Sequence, residues 1–362
     1  MRVDRVNGGA STDIIEFTPN ADQYAYTFGG AKPVMDVSPG SVLRLWSEDA
    51  FNGRLQTVED RPSEKLDMTA VNPQTGPFYV TGAEPGDTLA LHIVDLTPAR
   101  DWGVSSAIQN FGGMTSTPLN PTLQDPLPEQ TWIYQADLER RVVRFSAVNS
   151  QFELDLPMSP MLGTVGVAPP AREVRTSLVP GSYGGNMDTP EMRAGATAYF
   201  GVNVEGALFS IGDGHYRQGE GEACGTAVEG AMNSTIIVEL IKGGAPPTWP
   251  RVETDDALMV VGSARPLEDA WRIAQADMVD WISALYGLTP MDSYQLISQT
   301  SLAPLANVVD TNYSAVVKIE KRLLPPAQSY QGMHDHLRGR AEELRAAGLQ
   351  PFRPGTPLDL TD

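Results

Sequence analysis

One short glycine-rich segment holds most of the side chains in this sequence that could bind a metal or move a proton. Residues 212–222 read GDGHYRQGEGE and include Asp213, His215 and Glu222. Glycines between such groups let the backbone turn sharply and approach a ligand closely. Asp213 and His215 are two residues apart, so in an extended segment both side chains point to the same side. Asp188, in GGNMDT at 184–189, offers a further carboxylate from a different loop.

These residue types are the ones that a catalytic divalent metal requires. Imidazole and carboxylate groups bind such an ion while one position stays open for water. The metal lowers the pKa of that water to about 7 and polarises a carbonyl group, and a nearby glutamate moves the proton. The pattern is also compatible with a glycine-rich hairpin in which the acids cap backbone amides and His215 is a turn residue. The residues alone leave both interpretations open.

Other catalytic patterns are weak or absent. Cys224 lies two residues after Glu222, but a reactive thiolate needs an electropositive setting and this one is acidic. The sequence therefore favours a small, buried apolar residue at Cys224. It contains no GxSxG, HExxH or Walker A motif and no dinucleotide-binding glycine run. His92, His334 and His336 are too widely spread in the sequence to suggest a second site.

Charge and cysteine content exclude several classes of partner. The chain of 362 residues has 26 Lys and Arg residues against 45 Asp and Glu, a net charge of −19, and such a field repels nucleic acid and anionic lipids. A single cysteine rules out an intrachain disulfide, and the first residues lack the apolar run of a signal peptide. No apolar run approaches the ~20 residues that a membrane-spanning helix needs. We therefore expect a cytoplasmic protein that binds neither nucleic acid nor membranes.

The elements that must position these side chains are predicted to be mainly strands. From residue 34 to 94, short aliphatic runs alternate with Pro-Gly and Asn-Pro turn signals, and Leu89, Leu91 and Ile93 mark one inward face. Beyond a Gly/Ser/Thr/Pro-rich stretch at 112–128, further strand-rich segments occupy 131–170, 196–211 and 226–241. Turn signals at this spacing favour a β-sandwich over a βαβ repeat.

Helical periodicity appears only near the C-terminal third. One long helix is predicted after Pro266 and before Gly287. Its apolar positions recur at three and four: Leu267, Ala270, Trp271, Ala274, Met278, Ile282 and Leu285. A capped start at 289–292 predicts a second helix, and a last strand region with a turn at 310–312 ends near Pro325. An amphipathic tail helix ending at Gly348 is predicted to serve packing or dimer contact. The fold class is therefore α+β but mainly β: a β-sandwich-like body of short antiparallel strands with an added α/β portion carrying the long helix.

Five blocks of sequence, in order, resemble the acetamidase/formamidase family of amidohydrolases. They are NPQTGPFYVTGAEPGDTLALHIVDL (72–96), MLGTVGVAPP (161–170), GGNMDT (184–189), VEGALFSIGDGHYRQGEGEACGTAVE (204–229) and LEDAWRIAQADMVDWI (267–282). The resemblance covers roughly residues 34 to 325. It divides the chain into an N-terminal extension (1–33), a catalytic domain (34–325) and a helical C-terminal tail (326–362).

The resemblance implies hydrolysis of a short primary amide, such as formamide or acetamide, to a carboxylate and ammonia. It also implies a homodimer or larger homo-oligomer and a divalent metal around the GGNMD and GDGH blocks, with zinc as the expected ion and calcium as an additional structural ion. The matching positions are Asn186, Asp188, Asp213, His215, Gln218, Glu222 and Glu229, and Asp49 in SEDAFNGR is a further ligand candidate.

Roles follow from this resemblance and from the chemistry of amide hydrolysis. The metal ligands are expected to be Asp188, Asp213 and His215, together with Asp49. Glu222 would accept a proton from the metal-bound water, and His215 is the other residue assigned to catalysis. An amide nitrogen leaves only when it is protonated, so Glu222 would then donate that proton. The side chains of Asn186 and Gln218 are expected to orient the substrate amide.

The sequence departs from the family pattern directly after the histidine. Most members resemble GDGHAAQGDGE, whereas this chain has Tyr216, Arg217 and Glu220. If Tyr216 and Arg217 face the pocket, they bind substrate, narrow the pocket and add a cation, which would favour a substrate with a carboxylate or a larger group. If they face solvent, they say nothing about specificity. Two alternative functions remain: hydrolysis of a larger or cyclic amide on the same scaffold, and metal or small-molecule binding without catalysis.

Overall fold

The structure is a computed structural model that describes residues 2–6, 12–114 and 126–353. Its strands, in chain order, are β1 (Arg2–Val6), β2 (Thr12–Phe17), β3 (Thr27–Phe28), β4 (Met35–Val37), β5 (Val42–Ser47), β6 (Gln74–Val80), β7 (Thr88–Pro98), β8 (Trp102–Ala107), β9 (Gln130–Asp137), β10 (Val142–Ser146), β11 (Glu153–Pro157), β12 (Met161–Gly166), β13 (Arg175–Thr176), β14 (Gly184–Asn186), β15 (Thr197–Gly201), β16 (Phe209–Arg217), β17 (Val228–Glu229), β18 (Met232–Ile241), β19 (Arg251–Glu253), β20 (Ala257–Ala264), β21 (Leu305–Asn307) and β22 (Tyr313–Glu320). Its α-helices are α1 (Pro62–Lys65), α2 (Leu267–Tyr286), α3 (Pro290–Thr300) and α4 (Met333–Ala346). Short 3-10 helices span Pro170–Arg172, Lys321–Leu323 and Ser329–Gly332.

The strands form two large sheets and one small one. The first sheet has the order β1-β2-β5-β18-β7-β15-β19-β20-β22-β21. The second has the order β11-β10-β9-β8-β17-β16-β12-β14, and β6, which carries β4, also pairs with β16. Neighbouring strands are antiparallel except for β2 with β5 and β4 with β6, and β13 pairs with β3 alone. Strand β16, which bears the glycine-rich segment, therefore lies inside the second sheet.

The two large sheets pack against each other through one apolar core. Leu89, Leu91 and Ile93 of β7 point into it, as the alternation in the sequence predicted. Phe78 of β6 joins the sheets, because its ring lies 5.7 Å from that of Phe17 on β2, centroid to centroid, in an edge-on contact. This arrangement confirms the predicted mainly-β fold with a sandwich-like body.

The helices cover the outer face of the first sheet. Helix α2 follows Pro266 and ends before Gly287, whose φ of 65° gives the left-handed turn that terminates many helices. It packs with α3 on β20 and β22. Trp281, rather than Trp271, is the buried tryptophan of this helix, since Trp271 is 41% exposed. Helix α3 begins where predicted, at the N-cap Thr289, whose side chain accepts a hydrogen bond from the Asp292 amide.

The tail helix α4 packs on the same outer face, over β7, β15 and β18. It carries His334 to within hydrogen-bonding distance of Thr197, whose hydroxyl also pairs with His92; both oxygen–nitrogen distances are 2.8 Å. The rings of the two histidines lie 5.9 Å apart, centroid to centroid. His92 and His334 are distant in the sequence and meet here because the tail helix folds back over β7. His334 also pairs with Asp255 at 3.1 Å.

Several expectations fall on residues outside the described part of the chain. These are the middle of the polar stretch at 112–128, part of the N-terminal extension and the end of the tail. The division at residues 33 and 325 stays a prediction. Within the described residues, no helix is long and apolar enough to cross a membrane.

Candidate active site

The second sheet brings the glycine-rich segment into the protein interior. Asp213 and His215 lie on β16 between β12 and β17, and both side chains are buried. Alternation along the strand puts them on one side, and His215 Nε2 lies 3.3 Å from Asp213 Oδ1. Glu229 of β17 pairs in register with His215 and places its Oε2 3.0 Å from the same nitrogen. Two carboxylates therefore lie beside the same imidazole nitrogen.

The other side of the imidazole is fixed by Gln218. His215 Nδ1 lies 2.9 Å from Gln218 Oε1. The Gln218 amide nitrogen donates to the backbone oxygens of Asp188, at 2.6 Å, and Ala306, at 2.9 Å. Because that nitrogen is committed as a donor, Oε1 must accept, and the proton of neutral His215 sits on Nδ1. The lone pair on Nε2 then points at the carboxylates of Asp213 and Glu229, an arrangement that calls for a cation between them.

A second group of acids adjoins the first and is spaced by amide side chains. Asp188 follows β14, and Asn186 Nδ2 donates to Asp188 Oδ2 at 2.9 Å and to Asp310 Oδ2 at 2.8 Å. Asn307 Nδ2 lies 3.3 Å from the same two oxygens. Oxygen Oδ1 of Asp188 is buried and has no hydrogen-bond partner. The amides thus hold two carboxylates close together and leave one oxygen of Asp188 free.

Glu222 completes the cluster from the loop after β16. Its side chain is buried, and it forms with Asp188 and His215 one of two groups whose ligand atoms all lie within 4.8 Å of one another; Asp213, His215 and Glu229 form the other. Asp188, Asp213 and Glu222 all have positive φ, at 47°, 59° and 47°. A non-glycine residue in this region costs on the order of 1 kcal/mol or more, so the surrounding structure must enforce it.

Burial and mutual repulsion dominate the electrostatics of these acids. Burial, with the charges of Glu222 and Asp310, raises the pKa of Asp188 well above its usual value. Burial also raises the pKa of Glu222 well above its ordinary range, with Glu229 adding to the effect and His215 opposing it. Burial raises the pKa of Asp310 to about 7 and that of Glu229 to about 6. A positive charge in this cluster would favour ionisation of all four acids.

His215 and Asp213 shift in the opposite sense. Burial opposes the charge on His215, but Glu229 and Asp213 raise the pKa of its imidazole well above the ordinary value. Burial likewise opposes ionisation of Asp213, yet His215 and a hydrogen bond from Thr164 hold its pKa below the usual value. Both pKa shifts mean that a positive charge at His215 Nε2 is stabilised by the surrounding carboxylates. Either a proton or a metal ion at that nitrogen would supply this charge.

The residues present fit a divalent metal. The free Oδ1 of Asp188 and Oδ2 of Asp213 converge on Gly163 of β12, where an added Cβ would lie 2.5 Å from each oxygen and 2.8 Å from His215 Cε1. Glu229 Oε2 is also buried without a hydrogen bond. Carboxylate and imidazole ligands of this kind suit zinc and similar ions. Asp188, Asp213 and His215 therefore lie together in a cradle in front of Gly163, and their role as metal ligands stays a prediction.

Asp49 lies apart from both ligand groups. Its Oδ1 accepts from the amides of Phe51, at 3.0 Å, and Gly53, at 2.9 Å, and its Oδ2 pairs with Arg100 at 2.9 Å. Both oxygens are therefore occupied by a loop and a guanidinium group. The expectation that Asp49 binds the metal is not met by this placement; Asp49 shapes the loop at 49–53 instead.

Tyr216 and Arg217 both point away from the site. Tyr216 is fully buried on the opposite face of β16, and its hydroxyl donates to the Ala231 backbone oxygen at 3.0 Å. The register shifts between His215 and Arg217, and Arg217 donates to the Pro157 backbone oxygen at 2.7 Å. Neither side chain lines the cavity above the acids, so of the two alternatives left open by the sequence, the one in which they narrow the pocket and add a cation does not apply to this cavity.

Asn186 and Gln218 also have other partners than the expected substrate. Both amides are used within the protein, Asn186 between Asp188 and Asp310 and Gln218 beneath His215. They position the site's charged groups. Cys224 is exposed rather than buried; burial of part of the thiol and the charge of Glu222 still raise its pKa, as its acidic setting predicted.

Sequence reasoning missed Asp310, Asn307, Asn72 and Thr164. Thr164 donates to Asp213 Oδ2 at 3.2 Å, and Asn72 donates to Asn186 Oδ1 at 2.9 Å. Asp310 lies in a turn that the sequence marked only as a turn. No local pattern distinguished these residues, because each acts on a partner far away in the chain.

A cavity of about 290 Å³ opens above the acids. Its floor includes Asp213, Glu222, Glu229 and Asp310. Its walls are mostly apolar and come from three loops, at 50–72, 108–111 and 178. A small molecule can therefore reach the acids through an apolar passage.

Relatives of known name share this fold. An acetamidase from Yersinia enterocolitica has a similar structure, with a TM-score of 0.81 and 38% identity, over 89% of this chain and 96% of that one. A predicted acetamidase/formamidase from Thermoanaerobacter tengcongensis has a TM-score of 0.74 and 32% identity, over 86% and 97%. By sequence, the chain is 26% identical over 286 residues to an acetamidase of Mycolicibacterium smegmatis, covering 65% of this chain and 69% of that protein.

A formamidase of Methylophilus methylotrophus is 28% identical over 254 residues, which are 58% of this chain and 61% of that enzyme, so the chain spans less than two thirds of its length. Residues 30–178 and 169–311 match the model of the Acetamidase/Formamidase family. That match covers more than half of the chain and includes all of the clustered acids and His215. The chain therefore belongs to the acetamidase/formamidase family.

Proposed function

We propose that the chain is an amidohydrolase that cleaves a short linear primary amide into a carboxylate and ammonia. The observation that carries this proposal is the cluster of Asp188, Asp213, His215, Glu222 and Glu229, in which Asp213, Glu222 and Glu229 line a cavity. Family membership supports the same reaction, because named members are acetamidases and formamidases. A binding protein would have no need of a further proton-transfer carboxylate beside a set of metal ligands.

Asp188, Asp213 and His215 would hold a divalent metal, with Glu229 within reach of the same position. When bound there, such an ion lowers the pKa of water to about 7 and polarises a carbonyl oxygen. Gln218 keeps the Nε2 lone pair of His215 directed at that position by accepting the Nδ1 proton. Zinc is the ion that this mixed nitrogen and oxygen set favours, and calcium, which prefers oxygen ligands alone, fits it less well.

Glu222 is the proton carrier in this proposal. Burial and the neighbouring acids raise the pKa of Glu222 above its ordinary value, and a raised pKa suits a carboxyl group that must also act as an acid. Glu222 lines the cavity, where it can take a proton from the attacking water. It then gives that proton to the amide nitrogen, which leaves as ammonia because protonation turns it into a good leaving group.

The test compares two glutamates in one loop. We expect Glu222→Gln to lower kcat by roughly 10²- to 10⁴-fold, the usual contribution of a positioned general base, while the metal content stays the same. Glu220→Gln is the matched control, because Glu220 is exposed and lies outside the cavity, and it should keep wild-type turnover. Full turnover in Glu222→Gln with its metal in place would contradict the role given to Glu222.

Metal dependence has its own measurement. We expect elemental analysis to find about one divalent ion per chain, and chelation to abolish ammonia release until zinc is restored. If the metal-loaded protein releases no ammonia from any of a panel of linear amides, the amidase proposal fails. The cytoplasmic location and the homodimer or larger homo-oligomer stay predictions, and light scattering with size exclusion tests the second.

A further inference from the structure

The cavity above the acids is larger than a bare acetamide requires. Its volume is about 290 Å³, whereas an apolar cavity of about 150 Å³ already holds a benzene molecule. Acetamide places only one methyl group beyond its reacting carbonyl carbon. The space that remains above the floor is therefore large enough for a ring or a branched chain attached to the acyl carbon.

Two apolar walls enclose this space, and both are fixed to the floor. Ile108 and Phe111 form one wall, which is tied to the loop of Glu222 because Gly113 N donates to the Ala223 oxygen at 2.9 Å. An added Cβ at Gly225 would lie 2.7 Å from the Phe111 ring, so the ring lies directly against the turn after Glu222. A substituent on the acyl carbon would contact this wall while the amide reaches the acids.

The other wall consists of Phe51, Leu66 and Val71, and Ile108 packs against the same apolar cluster as Phe51 and Leu66. Asn72 N donates to the Ala50 oxygen at 2.7 Å, and this bond joins the two loops that supply it. Phe51 is almost fully buried and Val71 is buried, so this wall is part of the packed protein. Both walls are thus held in place by backbone hydrogen bonds and packing.

The charges around the cavity are of one sign. Among the described residues that line it, every charged side chain is an acid, and these acids lie at the floor. Arg217, the basic residue nearest to His215 in the sequence, donates a hydrogen bond to the Pro157 backbone oxygen instead. A substituent that carries a carboxylate would therefore meet repulsion and find no partner.

We propose that this site prefers primary amides whose acyl group carries an uncharged apolar or aromatic substituent, with Ile108 and Phe111 as specificity-determining residues. The proposal rests on the amidase function proposed above. Phenylacetamide is the simplest probe of this class: water adds to its carbonyl carbon, the C–N bond breaks, and phenylacetate and ammonium form without any other reactant.

The first experiment measures ammonia release from acetamide, phenylacetamide and 4-carboxyphenylacetamide by the metal-loaded protein. We expect kcat/KM for phenylacetamide to exceed that for acetamide by about tenfold or more, since even one methylene in an apolar pocket is worth roughly tenfold. The carboxylate analogue should fall about tenfold or more below phenylacetamide. A kcat/KM for acetamide equal to or above that for phenylacetamide overturns the substrate preference but leaves the amidase function standing. If none of the three amides releases ammonia, the proposed amidase function itself is wrong.

The second experiment tests the wall. In Phe111→Ala and Ile108→Ala, the ratio of kcat/KM for phenylacetamide over acetamide should fall about five-fold or more, because part of the apolar contact is lost. Met291→Ala is the control: Met291 is 72% exposed on α3, away from the cavity, and the ratio should not change. An unchanged ratio in both wall variants overturns the assignment of these residues.

A binding measurement removes the dependence on turnover. Calorimetric titration of Glu222→Gln, whose amide cleavage is impaired, should show phenylacetamide binding at least about tenfold more tightly than acetamide. The double variant Glu222→Gln/Phe111→Ala should lose most of that difference, with circular dichroism confirming its fold. Equal affinities for the two amides in Glu222→Gln overturn the proposal.

Discussion

Replacing Gly163 with alanine should disable the site while leaving most of the fold intact. Gly163 lies on β12, and its φ is not among the positive values of this chain, so alanine suits the backbone there. The new Cβ would lie 2.5 Å from Asp188 Oδ1 and from Asp213 Oδ2. An ordinary contact at such a position begins at 3.4 Å. Each oxygen would therefore have to retreat by about 0.9 Å, against neighbours that pack at native density.

The expected size of the effect follows from that displacement. A misplacement of about 1 Å in a catalytic group costs on the order of 10²-fold in rate, and here two ligand carboxylates move together. Overpacking of a buried site typically costs ~1 to 3 kcal/mol of stability. We therefore expect kcat/KM to fall by about 10²-fold or more, metal affinity to fall with it, and the protein to stay folded with a lower Tm.

The assay combines ammonia release, metal content after dialysis against a weak chelator, and thermal unfolding. Gly339→Ala is the control, because Gly339 lies in α4 with nothing within 4 Å of its added Cβ. Alanine should stabilise that helix by up to about 1 kcal/mol and leave turnover unchanged. If Gly163→Ala keeps its metal and turns over within about twofold of wild type, the cradle in front of Gly163 is not where the chemistry occurs.

Two further variants probe how the site and the tail are held. Gln218→Ala removes the acceptor of the His215 Nδ1 proton, so zinc affinity should fall about 10- to 100-fold; equal zinc titrations of variant and wild type would refute the positioning role. Burial, reinforced by His334, lowers the pKa of His92 to about 3. The His92 imidazole therefore takes up a proton more readily in the unfolded chain than in the folded one. The free energy of unfolding accordingly falls as the pH drops below 6.5. Between pH 6.5 and about 4 the loss from this one group is about 3 kcal/mol; denaturant unfolding at both pH values should show that loss shrinking in His92→Gln, and an unchanged difference would contradict it.

Local periodicity explains what the sequence predicted well. The spacing of two between Asp213 and His215 was enough to place both on one face of a strand. The same rule puts Tyr216 on the opposite face, where it is buried, so its absence from the cavity followed from the spacing that located the site. Arg217 would return to the site face, but the shift in register after His215 turns it outward. A bulge of this kind depends on the partner strand β17 and has no signature within β16.

Long-range pairing explains what was missed. Asp310 joins the site through Asn186, which is 124 residues away in the chain, and its own surroundings show only a turn. Asp49 shows the converse: the family resemblance suggested a ligand, while its amide partners two and four residues on make it a loop-forming residue. Trp271 and Trp281 have the same residue type in one helix, and only the position of the sheet beneath α2 decides which of them is buried.

The buried acids of the cluster, some found from local spacing and others from long-range pairing, all need positive charge or hydrogen-bond donors nearby. Asp188, Asp213, Glu222, Glu229 and Asp310 are all buried, and isolated buried carboxylates are costly unless a cation or hydrogen bonds compensate them. Amide donors compensate one oxygen of Asp188, whereas its other oxygen and Glu229 Oε2 have no hydrogen bond. Gln218 accepts the Nδ1 proton of His215, so the lone pair on His215 Nε2 points toward Glu229. Donors supplied by the chain therefore account for part of the cluster only. Of the two oxygens left without a donor, Asp188 Oδ1 lies in front of Gly163 and Glu229 Oε2 lies 3.0 Å from His215 Nε2, and a divalent ion held by these groups would supply the missing positive charge.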